Sequence, residues 1–207
     1  MTTIVGVQGD GFVVLATDSR ISSFDEQGDV YQYTTLGGGS SKLAFNGKYV
    51  VGAAGDVRAI NILHHAFHPP ICAPSLKGRR LDTFVTTKFI PALRTCFEEH
   101  GYAVPQGKES GRTAEQDSTI IVAINATIYI IEGDYSWTND ATGLYAAGTG
   151  SSYALGALQA LNHKNLTPQQ AKTIALKALN IATKYDPYTG APHHTYLQEH
   201  NRNTTQT

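Results

Sequence analysis

The chain holds three sets of side chains whose types and spacing could do chemistry. His64, His65 and His68 fall where a helix would put two imidazoles on one face, and His193 and His194 follow later, so a metal site has to be weighed. No acidic or cysteine ligands accompany them, and surface or core histidines are the simpler reading. Cys72 and Cys96 are the only cysteines; they lack redox or metal spacing and read as reduced thiols. The third set is dispersed: Thr2, Asp18, Lys42, and the turns Gly148-Thr149-Gly150 and Asp186-Pro187-Tyr188-Thr189-Gly190. Taken singly, each of these is ordinary, since Thr suits strands, a strand-end Asp forms turns and a strand Lys is usually solvated.

The elements that must position these groups are legible from patterning. Thr3 to Val7 and Phe12 to Thr17 are β-branched runs around Gln8-Gly9-Asp10-Gly11, a hairpin. Ser22 to Ser41 is polar and carries Gly37-Gly38-Gly39, which predicts a mobile surface loop. A second hairpin joins Lys42–Phe45 to Lys48–Ala54 through Asn46-Gly47, a pair that tolerates the positive φ of a type I′ turn. Gly55 breaks that strand, and Asp56 caps a helix to about Phe67, where Pro69-Pro70 stops it. A further helix is expected over Leu81 to Glu99, and residues 101–116 read as an exposed connection.

Ser118 to Ile124 and Thr127 to Glu132 form a third, strongly apolar hairpin. Leu144 to Ala147 is a short strand, and the Gly148 to Ser152 turn feeds a helix over Tyr153 to Asn162. Thr167-Pro168-Gln169-Gln170 has the cap, the proline and the capping-box glutamine of a helix start, and the helix should run to about Lys184. His193 to Gln198 offers a last strand. Hairpins and helices in this order suit an α+β arrangement of antiparallel sheet with segregated helices, and strands apolar on both faces call for stacked layers. No repeat or linker divides the chain, so residues 1–198 read as one domain and residues 199–207 as a polar tail.

With 207 residues, one core suffices without disulfides. A net charge of −1 and a pI near 6.7 disfavour nucleic acid and anionic membranes as partners. No run approaches the roughly 20 apolar residues that span a bilayer, and the start lacks the regions of a signal peptide, which points to the cytoplasm.

Met1-Thr2-Thr3-Ile4-Val5-Gly6-Val7, followed by Val13 to Arg20, resembles the start of proteasome β-subunits and their bacterial relatives, the N-terminal-nucleophile hydrolases. The resemblance implies a four-layer αββα sandwich of two antiparallel sheets covered by helices. It also implies a threonine-type endopeptidase in which loss of Met1 exposes Thr2, whose hydroxyl attacks a carbonyl while its α-amine takes the proton. Such an amine, with a pKa of roughly 7.7 to 8, can serve as a base near neutral pH.

Further site roles follow from the same resemblance. Asp18 matches the acid that supports a lysine beside the nucleophile, and Lys42 matches that lysine, with Lys48 as rival because the stretch after Asp18 is longer than the family pattern. Gly55 matches the oxyanion-hole amide. Thr149 and Thr189 stand where the family usually has Ser, and Asp186 matches the acid that helps orient the terminal Thr. The family uses no metal or cofactor. It implies a polypeptide substrate, a homo-oligomeric ring or spiral and an ATPase unfolding partner. The alternatives are a catalytically silent subunit with an assembly role, or an amidohydrolase acting on small amides.

Overall fold

A computed structural model describes residues 2–37, 40–102, 116–161 and 165–200, together with the backbone of residues 205–206. β1 (Thr3–Gly9) and β2 (Phe12–Thr17) form the first hairpin, and β1 also pairs with β10 (Leu144–Gly148). The sheet continues through β11 (His194–Glu199) on the far side of β2 to β12 (Thr205–Gln206), giving the order β10-β1-β2-β11-β12. A second antiparallel sheet has the order β5-β6-β7-β8-β9, built from β5 (Leu43–Asn46), β6 (Tyr49–Ala54), β7 (Thr119–Ile124), β8 (Thr127–Ile131) and β9 (Trp137–Thr138). The apolar hairpin β7–β8 puts β7 at the centre of that sheet.

Strand alternation sorts the side chains into three buried layers. Ile4, Val13 and Leu15 of the first sheet meet Leu43, Val50, Ile121, Ala123 and Ile128 of the second. Their neighbours Val5, Val7, Val14 and Ala16 turn the other way, onto α4 (Ser151–Leu161) and α5 (Pro168–Tyr185). Val51, Ala53, Ile120 and Val122 face α1 (Val57–His65) and α3 (Ile90–Glu99). Helix, sheet, sheet and helix therefore stack as four layers. The middle layer is stitched by amides as well: Gln198 accepts from the Ala126 N–H at 2.8 Å, and Gln8 accepts from the Ile128 N–H at 2.8 Å.

Helix starts follow their capping residues. The Asp56 side chain accepts from the Arg58 N–H, and Thr167 makes the reciprocal capping box with Gln170. The helix predicted from Leu81 begins earlier, as α2 (Arg79–Phe84), and widens into a π turn at Val85–Phe89 before α3. The cause is Pro91, which has no N–H to donate and whose ring would crowd the preceding turn; the wider turn lets Ile90 bond back to Val85.

Two expectations need correcting. Ser22 to Ser41 is not one loop: β3 (Arg20–Phe24) pairs with β4 (Val30–Thr35) as a two-stranded sheet. The alternating Val30-Tyr31-Gln32-Tyr33-Thr34-Thr35 is a good strand sequence, and the Asp25 carboxylate closes the turn by accepting from the Gln27 and Asp29 N–H groups. The tail also contributes structure, because β11 runs on to Glu199 and β12 (Thr205–Gln206) pairs with it. Most of the expected connection at 101–116 lies outside the described residues, as does Asn162. No helix among the described residues is long and apolar enough to cross a membrane.

Glycines mark where backbone must approach backbone. A Cβ on Gly148, whose φ is +93°, would sit 1.8 Å from the Thr2 carbonyl oxygen, whereas one on Gly156 within α4 would meet nothing within 4 Å. Gly148→Ala should therefore cost more than about 2 kcal/mol, and Gly156→Ala should gain up to about 1 kcal/mol by helix propensity. Urea unfolding of the two variants checks both signs.

Candidate active site

The sequence-predicted residues converge at one end of the two sheets. Asp18, fully buried at the end of β2, is the hub. Its Oδ1 accepts from the Thr3 N–H at 2.9 Å and from Lys42 Nζ at 2.6 Å, and its Oδ2 accepts from the Arg20 and Gly190 N–H groups, each at 3.0 Å. Lys42 is fully buried too, just before β5, and Nζ also donates to the Arg20 carbonyl at 2.5 Å. Burial pushes the Lys42 ammonium below its ordinary value, while the charge and hydrogen bond of Asp18 oppose that fall. Lys48 stands elsewhere, exposed in the β5–β6 turn, with its carbonyl accepting from Gln198. Only Lys42 meets Asp18.

A second carboxylate organises the hydroxyls. Asp186, buried just after α5, takes the Thr149 hydroxyl at 2.8 Å and the Thr189 hydroxyl at 2.5 Å on Oδ2. Thr189 Oγ1 lies 2.6 Å from Thr3 Oγ1, which in turn accepts from the Gly150 N–H at 3.1 Å. Because the Thr189 proton goes to the carboxylate, Thr3 donates to Thr189, and a single chain of hydrogen bonds runs from β1 to the turn after α5. The extra methyls of Thr149 and Thr189 leave the hydroxyl bonds intact.

Thr2 lies beside this network with 1% exposure, and its carbonyl accepts from the Thr149 N–H at 3.0 Å. Its hydroxyl has no hydrogen-bond partner among the described residues. A buried hydroxyl left unpaired is costly in a plain core and fits a group held ready for another molecule. Thr2 lines a cavity of about 490 Å³ together with Phe24, Ala54, Gly55, Gly148 and Thr149. Gly55 has φ +153°, and a Cβ there would strike Ser118 Oγ at 2.4 Å and the Asp117 carbonyl at 2.5 Å, so the β6–α1 corner requires glycine. That corner leaves bare backbone on the wall of the cavity that Thr2 also lines.

The sequence did not single out Thr3, Arg20 or Phe24, which the structure draws into the site. For Thr3 a signal existed: it alternates with Thr2, so the two hydroxyls had to serve opposite faces of β1. The histidines do not assemble. His64 Nε2 lies 2.7 Å from the Ser41 carbonyl and His193 Nε2 lies 3.0 Å from the Thr183 hydroxyl. Among the described residues no group of three or more His, Cys, Asp or Glu could hold a metal ion. Cys72 and Cys96 are unpaired, and burial pushes both thiols up, away from reactivity.

Comparison with known proteins bears on this arrangement. The family model of the proteasome subunit matches residues 118–196, which span β7 through the first half of β11. Proteasome subunit beta 2 of Pyrobaculum arsenaticum is 23% identical over 91% of this chain and 84% of its own length. The chain is thus similar to proteasome subunits, by family model over residues 118–196 and by this relative along most of its length.

Solved structures give the same architecture as this chain. Thiobacillus denitrificans BPH in complex with epoxomicin superposes with a TM-score of 0.70 at 19% identity, covering 97% of this chain and 100% of the other. Eukaryotic HslV from Trypanosoma brucei superposes with a TM-score of 0.60 at 23% identity, covering 96% and 99%. The four layers are thus the N-terminal-nucleophile hydrolase fold.

Removing the hub should be severe, since it strands a buried ammonium and three backbone N–H groups at once. Asp18→Ala is expected to cost at least about 3–5 kcal/mol. The drop in urea midpoint measures it, against a change below about 1 kcal/mol for Asp25→Asn, which keeps an acceptor for the Gln27 and Asp29 N–H groups in an exposed turn.

Proposed function

We propose that the chain is a threonine-type endopeptidase whose nucleophile is Thr2, exposed as the amino terminus once Met1 is removed. The observation that carries this reading is the buried Thr2 hydroxyl, without a hydrogen-bond partner among the described residues, on a residue that lines a cavity and whose neighbour Thr3 is bonded through Asp18 to a buried ammonium. In this reading Thr2 Oγ attacks the peptide carbonyl carbon and its proton passes to the Thr2 α-amine. The Lys42 charge disfavours a second positive charge nearby, which keeps the amine neutral at working pH.

The oxyanion that forms lies against the Gly55 N–H at the β6–α1 corner. When the C–N bond breaks, the amine returns its proton to the departing nitrogen, leaving an ester on Thr2 that water hydrolyses. Asp18 holds the lysine, while Thr149, Asp186 and Thr189 keep Thr2 and Thr3 in register. These are positioning roles; attack, proton transfer and oxyanion binding fall to Thr2 and Gly55.

The same reading makes the chain one copy of a cytoplasmic homo-oligomer, a ring or spiral enclosing its sites and supplied with polypeptide by an ATPase partner. Support for the peptidase rather than a silent subunit is the completeness of the hydroxyl and carboxylate network around Thr2.

Epoxomicin, present in the similar BPH complex, is the probe. Intact mass should show a chain lighter by one methionine, a single epoxomicin adduct on it, and none on Thr2→Ala; retained Met1 with no adduct would identify a silent subunit. Peptidase activity should fall at least about 10³-fold in Thr2→Ala. Activity against pH should rise as the α-amine loses its proton and fall again as Lys42 does. With the Lys42 pKa lowered, the alkaline limb lies below the ordinary 10.5, and a plateau persisting through that value would contradict a role for the buried ammonium.

A further inference from the structure

Two cavities are lined by candidate-site residues or their neighbours in sequence. One, of about 260 Å³, opens on the lysine side and is lined by Ile21, Ser41, Val57 and Asn61 among others. The second is the 490 Å³ cavity that Thr2 itself lines, and five of its six lining residues are Thr2, Ala54, Gly55, Gly148 and Thr149, small side chains or bare backbone. The sixth, Phe24, is the one large side chain among the described lining residues, none of which is charged.

Phe24 is held there by construction. It closes β3 at the point where the register with β4 slips between Ser23 and Phe24, an irregularity that re-aims a side chain. Its ring packs on Tyr188, with centroids 5.8 Å apart and planes tilted by 50°. Tyr188 belongs to the turn whose Asp186 carboxylate accepts the Tyr188 N–H at 3.3 Å, so the aromatic pair is anchored to the hydroxyl network.

The side of the nucleophile on which this wall stands follows from the backbone. The Thr149 N–H holds the Thr2 carbonyl, and Thr2, Gly148 and Thr149 line the cavity, which therefore runs along the backbone segment that carries the Thr2 α-amine. In the proposed reaction that amine must pass its proton to the departing nitrogen, so the departing half of the substrate lies on this side. We infer that Phe24, braced by Tyr188, is a specificity-determining wall that selects peptides with an aliphatic or aromatic residue immediately after the scissile bond. The inference rests on the threonine-peptidase reading and adds its substrate preference.

Four internally quenched peptides, identical up to the scissile bond and followed by Leu, Phe, Gly or Asp, test it on the chain freed of Met1. The ratio of kcat/KM for Leu over Asp should exceed about 10 in the wild type, the scale set by burying one aliphatic side chain. Phe24→Ala should bring the ratio towards 1, and Phe24→Arg should invert it in favour of Asp, which a merely structural role would not do. An unaltered ratio in both variants, or no preference in the wild type, overturns the inference while epoxomicin labelling of Thr2 persists. Failure of wild-type labelling overturns the peptidase reading itself, and this inference with it.

Discussion

The site depends on a carboxylate from which water has been removed. Asp18 has no exposure, yet its two oxygens receive an ammonium and backbone N–H groups from β1, β3 and the turn after α5. A buried ion pair by itself is weak evidence of stability, because desolvating two charges offsets most of their attraction. The additional backbone bonds change the balance here: each oxygen lone pair is used, and segments separated by as much as |i−j| = 172 in sequence are held at one point. Whatever chemistry Thr2 performs, its neighbour Thr3 is fixed by this carboxylate.

Asp186 complements that arrangement from the other side. Where Asp18 gathers charges and amides, Asp186 gathers hydroxyls, and Thr3 is the residue common to both, through its N–H to one and its hydroxyl to the other by way of Thr189. The two networks thus grip β1 on both faces just after Thr2. Threonine serves in these two turns as serine would, for a geometric reason: the bonds run through Oγ1, and the methyl does not occupy that direction.

The fold was largely legible in the sequence because its strands are unusually apolar. Ile120-Ile121-Val122-Ala123-Ile124 cannot face water on either side, which already required a covered sheet, and Thr167 with Gln170 announced α5 from capping chemistry alone. Composition and periodicity did not reach the site; the motif order around Thr2, Asp18, Lys42, Gly148-Thr149-Gly150 and Asp186 to Gly190 did. What stayed hidden was non-local. Nothing in residues 22–41 tells that Phe24 crosses to Tyr188, and the choice of Lys42 over Lys48 depends on which strand end points at Asp18, a matter of sheet packing. The polar glycine run drew attention away from the β-branched and tyrosine-rich strand just before it.

β1 is paired on both flanks, to β10 and to β2, with Thr3 opposite Gly148 and Ile4 opposite Thr17. A strand pinned twice cannot slide, so its side-chain parity is fixed. Adding or dropping one residue anywhere between Thr2 and Gly9 would exchange inside for outside along the strand, sending Ile4 towards α4 and α5 and Val5 into the gap between the sheets. The hydroxyl at the head of β1 is therefore addressed by counting back along a ladder, and its location is as much a property of the sheet as of the residue that carries it.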